Sequence, residues 1–169
     1  MVIDDYSRYI IHWELCSSMT SDDVSRTIDK AIKKAGVTLQ NPPCLLSDNG
    51  PCYIASSLKQ YLCKEYNIKH IHGKRLHPQT QGKIERYHRS MKNLIKLNHY
   101  FCPFELEKAI EQWVKYYNES RFYELLDNLT PRDVYLGQRE EFKRIREVIK
   151  QNSINKRISE NKRMILQHK

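Results

Sequence analysis

A chain of 169 residues with 40% hydrophobic content, eleven tyrosines and only five glycines can build one domain with a true core, which excludes a disordered or fibrous protein. Its net charge of +9 is unevenly spread: residues 69–99 carry +7, residues 139–169 carry +6, and the remainder sums to −4. That pattern predicts a polyanionic partner, nucleic acid above all. The five cysteines are odd in number and form no C-x-x-C pair, which predicts reduced thiols and neither disulfides nor a zinc site. With no signal peptide and no run of 18 apolar residues, the expected location is the cytosol, with no membrane partner.

In chain order, Met1-Val2-Ile3 reads as a strand, Asp4 to Arg8 as a turn, and 9–15 as a β-branched and aromatic strand, so a hairpin opens the chain. Thr20 with Asp23 forms a capping box for a helix that buries Val24, Ile28, Ile32 and Ala35 and stops at Gly36. Pro42 and Pro43 lead into Cys44-Leu45-Leu46-Ser47, a short buried strand ending on Asp48-Asn49-Gly50-Pro51. A helix over about 55–66 buries Leu58, Tyr61 and Leu62, and 68–72 alternates as a strand. This order predicts an α/β domain of three layers. Beyond it the chain is helical: one helix to about residue 99, another over about 104–118 with Leu106, Ile110, Trp113, Val114 and Tyr117 inward. Residues 138–169 form a basic tail, helical at first and then fraying or partly disordered, suited either to DNA or to solvent. Trp13 and Trp113 are expected in the core.

The stretch His77-Pro78-Gln79-Thr80-Gln81-Gly82-Lys83-Ile84-Glu85-Arg86-Tyr87-His88-Arg89 passes from turn formers into a helix. At 100° per residue, His88, Arg89, Lys92 and Lys96 fall within about 60° of Glu85, while Ile84, Tyr87, Met91, Leu94 and Ile95 gather on a core-facing arc. A helix with i,i+4 ion pairs would also place charges on one side, but here a single acid stands among four cationic groups. Such a face suits a polyanion beside a metal-binding carboxylate. Asp48, before Asn-Gly at the carboxyl end of a strand, is an ordinary turn residue or the second carboxylate of such a site, since α/β sheets bind ligands at that end. Two carboxylates can hold divalent cations that activate a water or a 3′-hydroxyl against a phosphodiester. His70 and His72, with His77, lack an acid or cysteine in register and read as strand packing.

The segments Ile3-Asp4-Asp5-Tyr6-Ser7-Arg8, Leu46-Ser47-Asp48-Asn49-Gly50, His77 to Arg86, Tyr116 to Arg121 and Leu129 to Gly137 come in the order found in DDE transposases and integrases, and the chain from about Val2 to Gly137 resembles that family, including bacterial insertion-sequence transposases. The 36 residues between Asp48 and Glu85 match its spacing. The resemblance implies a ribonuclease H-like α/β fold with a mixed sheet flanked by helices, a truncated integrase-type core over 1–137, and a carboxyl-terminal helical extension over 138–169. It implies Asp48 and Glu85 as catalytic and metal-ligating acids, Mg²⁺ or Mn²⁺ as cofactor, and DNA (transposon ends and target) as partner of a homo-oligomer in the bacterial cytosol. Lys83, Arg86, His88, Arg89, Lys92, Lys96 and Arg121 are the expected DNA contacts, and Gln79, Thr80 and Gln81 the expected mobile loop. The family's first catalytic Asp precedes the Ile3-Asp4-Asp5 strand, so the chain is expected to lack that strand and that acid. Asp4, Asp5 or another chain would then supply a third carboxylate; otherwise the protein is a catalytically silent, DNA-binding or dimerising remnant. Phe122-Tyr123 stands where the family commonly has Pro-His.

Overall fold

The computed structural model describes residues 1–73 and 82–167, and begins with the predicted hairpin. Strand β1 (Val2–Ile3) runs antiparallel to β2 (Ile10–His12). Asp4 organises the turn between them: its Oδ2 accepts the Ser7 amide at 2.7 Å and the Ser7 hydroxyl at 2.6 Å, and Ser7 is fully buried. Arg8 closes the turn at φ +65°.

Alternation along β1 splits the interior in two. Val2 packs with Ile28, Ile32, Leu58, Leu62 and Ile68, whereas Ile3 packs with Ile10, Tyr87, Trp113, Val114 and Tyr117. The first group comes mainly from α1 (Ser21–Ala35) and α3 (Ser56–Tyr66), the second from α4 (Gly82–Ile95) and α5 (Pro103–Glu119). The hairpin is thus the middle of three layers. The α1 boundaries follow the sequence: Thr20 and Asp23 complete a reciprocal capping box, and Gly36 ends the helix at φ +64°.

Strand β3 (Cys44–Ser47) pairs in parallel with β4 (Lys69–His72), and the crossover carries the short α2 (Pro51–Ile54) and then α3. Both senses of pairing that a mixed sheet requires are therefore present, in two separate two-stranded sheets among the described residues. One expectation needs correcting. β3 is not buried on both faces: Leu45 and Ser47 turn inward, whereas Cys44 is exposed and Leu46 is 41% exposed opposite Ile71 at 40%. The strand has the period of a half-covered sheet.

Past α5 the chain makes a 3-10 turn (Glu124–Leu126) and a capped helix α6 (Pro131–Tyr135), where Thr130 and Asp133 form a second capping box and Tyr135 stacks on Tyr9 with ring centres 4.5 Å apart. Helix α7 (Arg139–Gln167) continues the basic tail without a break. Its first turns are fastened by Asp127, which accepts Arg139 and Lys143 at 2.6 and 2.9 Å, by Arg146 bonding the Asp127 and Asn128 carbonyls, and by Phe142 against Leu126, Leu129 and Val134. No helix among the described residues is long and apolar enough to cross a membrane.

Candidate nucleic-acid and metal site

Asp48 follows the last residue of β3. Its Oδ1 accepts the Gly50 amide at 2.9 Å, closing a turn around the exposed carboxylate. A Cβ at position 50 would lie 3.0 Å from that same oxygen, so the carboxylate would have to give way by a few tenths of an ångström. The turn is tied to β4 from both sides: Asn49 Nδ2 donates to the Gly73 carbonyl at 2.8 Å, and the Gly73 amide to the Ser47 carbonyl at 2.9 Å. Beneath it, the buried Ser47 hydroxyl donates to the Asp48 carbonyl and meets His70 Nε2 at 2.8 Å. Burial, reinforced by His72 and Lys59, lowers the His70 pKa, and its buried Nδ1 has no partner among the described residues. His70 and His72 rings lie 4.2 Å apart, the strand packing the sequence predicts; His77 lies outside the described residues.

Glu85 sits exposed in the first turn of α4, where the amino-terminal end of the helix favours a carboxylate. The helix is held by Tyr87, 2% exposed, whose ring meets Tyr117 edge-on at 4.8 Å and whose hydroxyl reaches the Met91 sulfur at 3.4 Å. Ile84, Met91 and Ile95 are half-buried as expected, but Leu94 is 48% exposed and is no core residue. The helix ends at Ile95, one turn earlier than expected, although the Lys96 amide still bonds the Lys92 carbonyl. Arg89, Lys92 and Lys96 are exposed on the Glu85 side. His88 is half-buried with its ring 5.5 Å from Tyr87, and burial, the chain's amino terminus and Lys92 lower its pKa, so it contributes a neutral ring to this face.

Lys83 donates to the Asp5 carboxylate at 2.5 Å and to the Asp5 carbonyl at 3.1 Å, joining α4 to the hairpin turn. Both acids considered as a third ligand are thereby engaged, Asp4 with Ser7 and Asp5 with Lys83. Arg121 does not stand free: its guanidinium lies over the Tyr123 ring at 4.9 Å, with Tyr117 at 5.8 Å and Trp113 at 6.0 Å. Sequence reasoning missed the work of Asn118. Buried between α5 and β2, its side-chain amide accepts the Ile10 amide at 2.9 Å and donates to the Ile10 carbonyl at 3.1 Å, bonding the strand as a neighbouring strand would. Only its position on the inward arc of α5, beside Trp113, Val114 and Tyr117, could have signalled it. Gln79, Thr80 and Gln81 lie outside the described residues. So does the whole segment 74–81 that links the Asp48 sheet to α4.

Two family models, both described as integrase core domain, match this chain, one over residues 1–78 and the other over 66–131. Between them the two models span residues 1–131, and over that stretch the chain resembles integrase catalytic cores. The neighbouring solved structures agree on the fold. The HTLV-2 integrase catalytic core domain in complex with magnesium, in its trimeric form, superposes with a TM-score of 0.60 at 22% identity, covering 79% of this chain and 80% of that one. The catalytic core domain of BIV integrase gives 0.54 at 27% identity, covering 77% and 79%. The chain therefore has the ribonuclease H-like α/β fold that its sequence predicts. Among curated proteins it is 33% identical over 97 residues to the Pol-related polyprotein of the mouse intracisternal A-particle MIA14. It is 26% identical over 95 residues to the Gag-Pro-Pol polyprotein of squirrel monkey retrovirus. It covers 10% and 5% of the lengths of those relatives, and they match 57% and 56% of the chain.

Among the described residues no group of three or more His, Cys, Asp or Glu side chains could hold a metal ion. Asp48 and Glu85 nevertheless fit Mg²⁺ in kind: both offer hard carboxylate oxygens, and neither has a cationic partner among the described residues. Magnesium is commonly held by only one or two carboxylates, with waters and substrate phosphate completing the shell.

Proposed function

We propose that this chain binds DNA along the exposed Glu85 face of α4 and takes part in metal-dependent nicking and strand transfer at DNA ends. The observation that carries the reading is the solvent-facing Glu85, unpaired among the described residues and flanked by Arg89, Lys92 and Lys96, in a chain that resembles integrase catalytic cores. In this reading Asp48 and Glu85 would hold Mg²⁺ or Mn²⁺. When bound, such an ion polarises the phosphodiester and lowers the pKa of an attacking water or 3′-hydroxyl. Arg89, Lys92 and Lys96 neutralise backbone phosphates and bring the scissile bond to Glu85. The neutral His88 ring lends shape to that face and no charge. Gly50 holds the Asp48 carboxylate in its turn, which limits the reorganisation needed on cation binding. The working form is a homo-oligomer in the cytosol, acting on element ends and target DNA.

The test is cleavage of an end-labelled DNA duplex by the full chain with and without Mg²⁺, against Glu85→Gln and Asp48→Asn. Magnesium-dependent nicking abolished by both substitutions supports the reading. Nicking that survives Glu85→Gln sinks it. DNA binding with no nicking under any condition favours a catalytically silent DNA-binding protein, and preference for an RNA–DNA hybrid favours a ribonuclease.

A further inference from the structure

Away from Glu85, α4 carries a second set of cations. Arg86 and Lys83 lie about 100° and 160° around the helix from Glu85. With Arg8 they line a cavity of about 30 Å³ walled by the rings of Tyr87, Tyr117 and Tyr123. Arg121 covers Tyr123 from 4.9 Å. Burial raises the Tyr123 pKa, while the hydrogen bond with Tyr117 and then the positive fields of Arg121, Arg86 and Arg8 act against it. Asp5, the acid at the rim, is shared between Lys83 and Arg8. Arg86 and Arg121 have no carboxylate partner among the described residues. Like charges gathered on an apolar floor repel one another unless an anion joins them.

We infer that this cavity is an anion site that seats one phosphate oxygen of a nucleic-acid backbone between Arg8, Arg86 and Arg121, on the side of α4 turned away from Glu85. The inference rests on the DNA-binding reading above and adds a second anchor to it. A cavity of about 30 Å³ has room for a water-sized group such as a phosphoryl oxygen. Guanidinium forks match phosphate oxygens in pairs, and arginine stacks on aromatic faces, which accounts for arginine at all three positions. Asp5 occupies part of this positive field when DNA is absent.

The test uses the full chain and a fluorescent 20-base-pair duplex, with binding followed by anisotropy across a salt series. Each phosphate contact contributes about 0.9 to the slope of log K against log salt. We expect Arg86→Gln, Arg8→Gln and Arg121→Gln each to lower the slope by about 0.9, and Arg86→Gln/Arg121→Gln to lower it no further, because they share one phosphate. Adding Arg89→Gln, on the other face, should remove a further 0.9 or so. Arg86→Lys and Arg121→Lys keep the charge and should keep the wild-type slope, which separates a lost contact from a damaged fold. A wild-type slope in Arg86→Gln overturns the site while leaving the DNA-binding reading standing. So does a doubled loss in Arg86→Gln/Arg121→Gln. A wild-type chain that binds no duplex overturns the reading and the site together, and 10 mM inorganic phosphate displacing the duplex beyond matched chloride would mean that the site takes free phosphate instead.

Discussion

Replacing Asn118 by leucine tests how far one side chain holds the hairpin in place. Its amide satisfies both the N–H and the C=O of Ile10, a residue 1% exposed. Leucine has the same branched skeleton with larger methyl groups and neither hydrogen-bonding group, so both backbone groups are orphaned without a cavity. A buried group left unpaired costs about 1–3 kcal/mol, which puts the pair at roughly 2–6 kcal/mol. Removing a polar amide from the core offsets part of that, and we expect a net loss of about 3 kcal/mol. For a chain of this size that is a fall in Tm of roughly 6–12 °C. Urea unfolding followed by circular dichroism gives the free energy, and a thermal melt gives the shift. Glu119→Gln, on the neighbouring exposed residue 3.5 Å from Arg132, is the control and should move stability by less than about 0.5 kcal/mol. A loss below about 1 kcal/mol for Asn118→Leu with an unchanged m-value would refute the claim that these two bonds carry the strand–helix junction.

The remaining predictions concern the site, the tail and pH. Gly50→Ala should raise the Mg²⁺ concentration needed for half-maximal nicking while leaving Tm nearly unchanged, because the new Cβ displaces the Asp48 carboxylate; an unaltered Mg²⁺ dependence would contradict that crowding. Asp127→Asn should speed amide exchange and tryptic cleavage across the first turns of α7 without lowering the global Tm, since it releases Arg139 and Lys143; wild-type protection there would mean that Phe142 and Arg146 suffice. Acidification should cost stability in two windows. Burial lowers the pKa of His12, His70 and His88, so the unfolded chain takes up protons first and stability falls as pH drops below the ordinary histidine value of 6.5. Burial alone would raise Glu14, but Lys30, Thr27 and Arg26 hold it down to about 2, so a second loss comes between pH 4.5 and about 2. Urea midpoints that stay level from pH 7.5 to 5.5 would exclude the histidine contribution.

What the sequence made legible was local. The Thr20–Asp23 box and Gly36 delimit α1 because capping chemistry acts within one turn, and Asp48 before Asn-Gly announced its turn for the same reason. The arc of α5 was readable because burial of Trp113, Val114 and Tyr117 follows the helical period. Long-range partners were not. Asn118 meets Ile10 across 108 positions, and Lys83 meets Asp5 across 78, and no periodicity encodes such pairs. Leu94 was misplaced: it is 48% exposed, while Met91 and Ile95 on the same arc stay half-buried. For Arg121 the sequence shows the charge but not the three rings beneath it.

These long-range contacts converge on the placement of Glu85. Two consecutive residues of α5 point to different partners: Tyr117 packs on Tyr87 and fixes α4, and Asn118 bonds Ile10 and fixes β2. Lys83 then joins α4 to Asp5, in the turn between β1 and β2, and closes a loop of three contacts around the core. Only Lys83–Asp5 lies on the surface, where an ion pair is worth little, so the two buried contacts must set the geometry and the ion pair follows it. It follows that Asp5→Asn should leave α4 in place and Tm nearly unchanged, yet tighten DNA binding at low salt, because Lys83 and Arg8 are then free to meet phosphate. A drop in Tm comparable to that of Asn118→Leu would reverse the order of cause and make the surface pair the contact that orients the acid-bearing helix.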